Sequence, residues 1–474
     1  MLKTLLFPGD RKIFKAVWLL AFPVIISNLS RVIMSLVDVA MVGHLGPEAL
    51  AATGMGGMLA WGALSIVLGI RTSVQTITSR RLGQNKKKEC IKALNNGLLL
   101  ASIYSIPVSI IGWVYGYLII PFFISDSTTI PIAISYLSIS SAGVFFNAIS
   151  FVFQGFYTGI EKTKVHLSVT ITSNIINAYL NAGLIYGKVE IKNLLEIDVD
   201  SFFDLSNLWF WADFDGMGVT GAAIGTLISS AWMMFHYSYY LKKQKIIKEN
   251  RGILNVGFDI EMLKQQIKLS LPMGSQEMMI AIGYSFFYKI MSIIGIIELA
   301  TTQLLFTIMH ASFMPAMGVG QACATLVGKY MGSKEIEKSE QSIKESLRIA
   351  EYIMGTMGIM FILFPKFILL LFTSDPNIIQ LGVWGLRLIG FLQFIDAICF
   401  TLFLALTGAG NTLFPALVES SLIWGFMLPV SYYAGVMLGG GFKSPFIAFA
   451  IYLFLMAIIL SLKMKKGDWK EIEV

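Results

Sequence analysis

The sequence predicts an all-α polytopic membrane protein: twelve transmembrane helices in two six-helix lobes related by pseudo-symmetry. Three observations carry that prediction. The first is composition. Of 474 residues, 55% are hydrophobic and only 14% charged, against about 25% charged in a soluble domain, and the length accommodates about a dozen spans of 20–25 residues. The second is the placement of cations, and the third is an internal repeat.

Long apolar runs bounded by charges, Gly and Pro mark the spans in order. Six lie near 15–43, 48–78, 93–120, 131–159, 165–187 and 218–241, and six more near 265–293, 298–327, 345–372, 380–407, 414–437 and 444–463. The opening MLKTLLFPGDRK is interrupted by Pro8, Gly9 and Asp10, too soon for a cleaved leader, so insertion through the first helix is expected. An even number of spans puts both termini on one side. That side collects 28 of the 36 Lys and Arg, in 1–15, 80–92, 162–164, 242–268, 329–348 and 463–470. The opposite side has Lys188, Lys192, Lys366, Arg387 and Lys443, and Arg31, Arg71 and Lys289 lie within spans. By the positive-inside rule both termini are expected in the cytoplasm of a bacterial or archaeal plasma (inner) membrane.

Sliding the chain on itself by 249 residues pairs Pro23 with Pro272, Gly46 with Gly295, Leu50-Ala51 with Leu299-Ala300 and Gly83 with Gly332. Without a gap it also pairs Ser125-Asp126 with Ser374-Asp375, Thr158-Gly159 with Thr407-Gly408 and Thr163 with Thr412. The matches sit at helix entries, turns and ends. Six is even, so the halves point the same way, as in transporters built from parallel repeats, and a site between them is expected. The division is 1–241 for the N-lobe, 242–264 for a cytoplasmic linker and 265–474 for the C-lobe. Register is lost after about residue 187, where the N-lobe carries an extra external segment, 188–217. It holds Glu190, Glu196, Asp198, Asp200, Asp204, Asp213 and Asp215. It reads either as an acidic flap attracting cations or as a solvated loop with an interfacial aromatic cluster at Trp209, Phe210 and Trp211.

The same residues exclude other functions. No H-E-x-x-H, G-x-S-x-G or G-x-x-x-x-G-K-[ST] motif occurs, so an enzyme and an ATP-driven pump are not expected. No soluble basic face offers itself to nucleic acid. Cys90, Cys323 and Cys399 lack the spacing of a disulfide framework or zinc site. The pairs Gly155/Gly159, Gly221/Gly225 and Gly328/Gly332 predict close helix packing. Phe (34), Met (24), Tyr (17) and Trp (9) are abundant and suit apolar, often cationic ligands.

The acids read as lying within spans are Asp38, Glu277 and Asp396. A mid-membrane charge is costly and therefore points to function, and a desolvated carboxylate is a reversible binder of protons or sodium. The bland alternative is an ion pair with Arg31, Arg71 or Lys289. Asn177 and Asn181, at i and i+4, share one helix face, with Asn174 one turn earlier. Their amide oxygens suit a hard monovalent cation beside a carboxylate, or else act as hydrogen-bond glue between helices.

Several stretches together resemble one family. VDVAMVGHLG (37–46), NAYLNAGLIYG (177–187), GVTGAAIGT (218–226) and QFIDAICFTLFLALTGAGNT (393–412) are similar, in order and spacing, to the motifs of multidrug and toxic compound extrusion (MATE) transporters, closest to the NorM-type branch. The resemblance implies a V-shaped pair of six-helix lobes exporting drugs against inward flow of sodium or protons. It places Asp38, Asn177, Asn181 and Thr226 at the N-lobe cation site, as sodium ligands if the ion is sodium. Asn181 departs from a branch that has Asp there. Asp396 falls on the C-lobe acid, and Glu277 resembles the acid of the seventh helix; Lys289 lies outside the pattern. Asp38 and Asn174 are expected to touch substrate. The function expected is secondary active multidrug efflux by antiport through alternating access. The alternative is a flippase of the same superfold for lipid-linked precursors, which would need several Arg or Lys in its cavity. No cofactor is expected beyond the coupling ion. The expected partners are small-molecule drugs or toxic organic cations, sodium or protons and the lipid bilayer, and a monomer is expected.

Overall fold

A computed structural model describes residues 8–124, 126–194, 205–249 and 256–473. Twelve long helices run in chain order: α1 (Arg11–Gly43), α2 (Pro47–Gly83), α3 (Lys87–Phe123), α4 (Thr129–Gly159), α5 (Thr163–Leu194), α6 (Gly218–Lys243), α7 (Ile260–Ile294), α8 (Ile296–Gly332), α9 (Ile336–Leu363), α10 (Pro376–Gly408), α11 (Leu413–Met437) and α12 (Lys443–Lys466). No strand occurs among the described residues. Eleven of these helices are long and apolar enough to cross a membrane. The exception is α5, whose interior is diluted by Asn174, Asn177 and Asn181.

Helix ends follow local chemistry. Asp10 and Asp259, 249 residues apart, cap α1 and α7 by accepting from the backbone N–H groups of Lys12 and Ile13, and of Glu261 and Met262, satisfying donors the first turn leaves open. The caps are themselves held by equivalent positions of the opposite lobe. Glu345 accepts from the backbone N–H of Gly9 at 2.9 Å and of Asp10 at 3.2 Å, while Asn96 donates to the Asp259 carbonyl at 2.7 Å and accepts from its N–H at 3.2 Å. The helices α2, α4, α8 and α10 end alike. Asn85, Glu161, Lys334 and Gly410 take positive φ of 59°, 61°, 63° and 94°, and the next N–H reaches five residues back in each case, Lys86 to Arg81, Lys162 to Tyr157, Glu335 to Tyr330 and Asn411 to Leu406. This is the Schellman closure. The 249-residue repeat is therefore carried by backbone conformation as well as by residue type.

The lobes meet through the same symmetry. A Cβ on Gly83 would lie 1.9 Å from the Lys329 carbonyl oxygen, and one on Gly332 would lie 2.2 Å from that of Arg80; each glycine of the pair touches the other lobe at the partner's neighbour. Gly69 lies against Ser270 and Gly318 against Ile25 in the same way. Gln75 donates from Nε2 to the Gln321 carbonyl at 2.9 Å and to Thr325 Oγ1 at 3.0 Å, and Thr76 Oγ1 donates to the Thr407 carbonyl at 3.1 Å. Lys329 pairs with Glu161 at 2.8 Å. These contacts all lie at the end nearest the termini, in the corresponding halves of α1, α2, α7, α8 and α10 and at the turn after α4. Toward the other end Ile33, Leu36 and Trp61 of the N-lobe and Met278, Ile282 and Phe286 of the C-lobe are exposed. Among the described residues no hydrogen bond or ion pair joins the lobes in the halves of these helices away from the termini, past the mid-helix contact of Asn28 with Met314, so the lobes are tied together at one end only.

Three expectations change. The ninth span is read from the sequence as 345–372, but its helix starts at Ile336 and stops at Leu363, and a separate turn runs Pro365–Leu370. Pro365 can begin a helix but not continue one. The polar start, with Lys338, Lys344 and Arg348, extends the helix beyond its apolar stretch. The seventh helix begins inside the stretch read as linker because Asp259 caps it. In the external segment, α5 bends at Gly187 (φ 74°) and continues to Leu194, and a 3-10 turn spans Leu205–Trp209. The indole N–H groups of Trp209 and Trp211 donate to the carbonyl and the hydroxyl of Tyr179 at 2.8 and 2.7 Å, folding this stretch onto α5. Only Phe210 of the three is exposed. Glu196, Asp198, Asp200 and Asp204 lie outside the described residues.

Candidate cation sites in the two lobes

In the N-lobe, α1, α5 and α6 bring the sequence-selected residues into one chain of hydrogen bonds. Asn181 Nδ2 donates to Asp38 Oδ1 at 2.8 Å and reaches Asn177 Oδ1 at 3.4 Å, and Asn177 Nδ2 reaches Thr226 Oγ1 at 3.5 Å. The i, i+4 spacing of the two amides on α5 makes this possible. The glycines predicted for packing act here too: a Cβ on Gly221 would sit 2.3 Å from the Leu184 carbonyl oxygen, and one on Gly225 would sit 2.0 Å from Asn181 Oδ1. That amide oxygen is buried with no hydrogen-bond partner, leaving an open acceptor beside a carboxylate. Oxygen donors of this kind suit sodium. Asn174 stands apart, donating to Ser30 Oγ at 2.7 Å two turns down α1. It ties α5 to α1 instead of joining the Asp38 chain.

Gly225→Ala should therefore push Asn181 off its position at a cost of about 1–3 kcal/mol. The expected result is a rise of about tenfold or more in the ion concentration giving half-maximal transport, with drug binding retained. An unchanged ion dependence would separate Asn181 from the ion.

The ion-pair alternative finds no support at Asp38, whose partner is Asn181. Lys289 makes no salt bridge among the described residues. Glu277, half-buried on α7, lies within electrostatic reach of Arg71 across the lobe boundary, without a direct ion pair.

In the C-lobe, Asp396 is 7% exposed and has no hydrogen-bond partner among the described residues. The list of intramembrane acids read from the sequence omits Glu351, half-buried on α9, and one residue that lies beside Asp396. Glu419, on α11, accepts from Gln276 Nε2 and, at 3.3 Å, from the Tyr452 hydroxyl, and lies within electrostatic reach of both Glu277 and Asp396. The signal was present as a lone acid inside the eleventh apolar run. The C-lobe thus clusters three carboxyl groups where the sequence reading gives two. Gln276 and Tyr452, which hold the third, carry no one-dimensional signal. The repeat makes Asn147 the N-lobe counterpart of Asp396, and that amide is satisfied, donating to the Gly143 carbonyl and to Ser230 Oγ, both at 3.0 Å. Asp396→Ala should change the ion dependence of transport, by about fivefold or more on the scale of ordinary coupling energies, and Asn147→Ala should not. Equal effects would remove the asymmetry.

No group of three or more His, Cys, Asp or Glu placed to hold a metal occurs among the described residues. The three cysteines are free and buried.

Comparison with known proteins agrees with this architecture. The MatE family model matches residues 23–182 and 272–433, two matches that begin 249 residues apart. A protein of Thermotoga maritima named "Probable multidrug resistance protein NorM" is 25% identical over 413 residues, 87% of this chain and 84% of its own length. One of the same name from Photorhabdus laumondii is 25% identical over 382 residues, 80% and 78% of the two chains. Among solved structures, an outward-facing conformation of a multidrug resistance MATE family transporter of the MOP superfamily superposes with a TM-score of 0.85. It is 20% identical, with 97% of each chain covered.

Proposed function

The chain belongs to the MatE family of multi-pass multidrug efflux transporters, and on that premise we propose that it exports organic compounds, cationic or amphiphilic, in exchange for sodium ions or protons by alternating access. The observation that carries this reading is the Asp38–Asn181–Asn177–Thr226 chain with its open amide acceptor. An intramembrane carboxylate held by amides and not by a cation can take up and release a small cation as the transport cycle proceeds.

The lobes are tied together at the end nearest the termini, so the space between them opens at the other end. With the termini in the cytoplasm, as the cation asymmetry favours, this conformation faces outward. Entry of an ion from outside neutralises Asp38 and lowers the cost of packing it among apolar neighbours, so a cationic drug held by that charge is released. Pro23 lies within α1. It leaves one backbone carbonyl without its donor, which gives the helix a place to bend as its outer half repacks. Return of the lobes then requires separating the layer around Gly83 and Gly332.

The reading is tested with purified protein in proteoliposomes, following ethidium uptake under a sodium gradient and, separately, a pH gradient. One gradient should drive accumulation. Uptake that responds to neither, at matched protein content, would overturn antiport. Orientation has its own test. Cysteines placed at Asp213 and Lys242 should differ in intact cells, an impermeant maleimide labelling position 213 and sparing 242. Cys90, Cys323 and Cys399 are buried and should add little background. Labelling at 242 alone would invert the topology.

A further inference from the structure

Two cations of the N-lobe take no part in the Asp38 chain. Arg71, on α2, is 9% exposed; its Nε has no hydrogen-bond partner, and it forms no ion pair or hydrogen bond among the described residues. Arg31, half-buried on α1, has one long hydrogen bond, from Nη2 to Gln154 Oε1 at 3.4 Å, and the Phe151 ring 5.7 Å from its guanidinium. The two guanidiniums lie within electrostatic reach of each other, and Glu277 of the C-lobe is within reach of Arg71. Unpaired buried charge is expensive, and two like charges side by side more so.

The groups around them are fixed. Gln154 Nε2 lies 3.1 Å from His166 Nε2, and His166 Nδ1 lies 2.6 Å from the Tyr237 hydroxyl. Tyr237 is stacked between Tyr157 and His166, and the Tyr157 hydroxyl donates to the Tyr237 carbonyl at 2.9 Å. With Gln154 Oε1 turned to Arg31, its amide N–H donates to His166 Nε2, so the imidazole carries its proton on Nδ1, toward Tyr237. This network supports the arginines from behind without neutralising either.

They lie at the level where the lobes meet, with their side chains turned into the N-lobe, Arg71 against Gly155 and Arg31 toward Gln154 of α4. Gly69, two residues before Arg71, packs on Ser270, and Asn28, three before Arg31, donates to the Met314 carbonyl at 3.4 Å. We propose that Arg31 and Arg71 form an anion subsite inside the N-lobe, against α4, taking the carboxylate or phosphate group of an exported zwitterionic amphiphile. Planar guanidinium donors match such oxyanions, and a bound anion supplies the charge that the fold omits. The substrate class thus narrows from organic cations to molecules carrying both signs, the cationic part facing Glu277 or Asp38. The inference rests on the exporter reading for its substrate, and on the arginines alone for its anion.

The test has two arms in detergent-solubilised full-length protein. In the first, inorganic phosphate is compared with chloride at equal ionic strength. Phosphate should raise the wild-type unfolding midpoint by about 2 °C or more and leave the Arg31→Gln/Arg71→Gln double variant unmoved. Arg71→Gln alone should unfold no earlier than wild type, since it removes an unpaired buried charge. In the second arm, rhodamine B, a zwitterion with a free carboxylate, should bind about tenfold more tightly than its ethyl ester. Arg71→Gln should abolish that preference by weakening the acid alone. No phosphate shift, or one that persists in the double variant, overturns the anion subsite whatever the fate of the exporter reading. A phosphate shift with equal binding of the two dyes overturns the substrate assignment. A preference lost equally in Glu277→Gln would make the arginines partners of Glu277 and overturn it as well. Failure of gradient-driven ethidium uptake with the phosphate shift intact counts against export only.

Discussion

Asp38→Asn should insert and fold as the wild type does, bind drug weakly, and lose gradient-driven export by about 5- to 150-fold, the range that an ordinary coupling free energy spans. The substitution keeps shape and the capacity to accept from Asn181 Nδ2, which lies 2.8 Å from Asp38 Oδ1, while removing the charge for which ion and drug compete. Insertion is not at risk, because the change relieves a membrane charge instead of creating one. Initial uptake rates in proteoliposomes at matched protein content give the measurement. Export at the wild-type rate would take Asp38 out of the mechanism and move ion coupling to the Asp396, Glu419 and Glu277 group.

The second large effect is expected at the lobe contact. A Cβ on Gly83 would meet the Lys329 carbonyl oxygen at 1.9 Å, and one on Gly332 would meet that of Arg80 at 2.2 Å. In both cases the obstacle is backbone, which cannot rotate away as a side-chain end can. Gly83→Ala and Gly332→Ala should each force the lobes apart at the end nearest the termini, costing the outward-open arrangement about 1–3 kcal/mol. Two such costs at equivalent positions should act in the same direction. Spin labels at Lys86 and Ser333, both exposed, should show the distance distribution shifted to longer values in either variant, with transport reduced about tenfold or more in the double variant. Unchanged distances would mean that the lobes are held by the surrounding hydrogen bonds, such as Gln75 to Gln321 and Thr76 to Thr407, and not by glycine packing.

Much of this was legible in one dimension because the repeat is ungapped up to about residue 187. Pairs such as Gly83 with Gly332 and Thr158-Gly159 with Thr407-Gly408 mark helix ends that close with the same backbone turn. The Asn177 and Asn181 pair was visible because helical spacing alone puts i and i+4 on one face. Thr226 was not visible that way: its place beside Asn177 depends on how α6 crosses α5, and the family resemblance supplied it. Glu419 shows a different gap, since its hydropathy signal was as clear as that of Asp396 while its partners Gln276 and Tyr452 lie 143 and 33 residues away. The contacts of Trp209 and Trp211 with Tyr179 were not legible, because an aromatic cluster beside a membrane span reads alike whether it meets lipid or folds back on its own helix. Arg31 and Arg71 were visible as charges inside spans. That neither would find an acid was a property of packing, since Glu277, the nearest candidate, belongs to the other lobe.

The central claim is that one carboxylate serves ion and drug in turn, and it is tested most directly by equilibrium binding without any gradient. Isothermal titration of ethidium into purified protein, at stepped sodium concentrations at fixed pH and at stepped pH without sodium, gives the drug affinity as a function of the ion. Linkage requires that the ion weaken the drug by the same factor by which the drug weakens the ion. The account predicts that raising sodium, or lowering pH, weakens ethidium binding about fivefold or more in the wild type and has no such effect in Asp38→Asn. Ethidium affinity independent of both ions in the wild type, or an ion effect of equal size in Asp38→Asn, would contradict it.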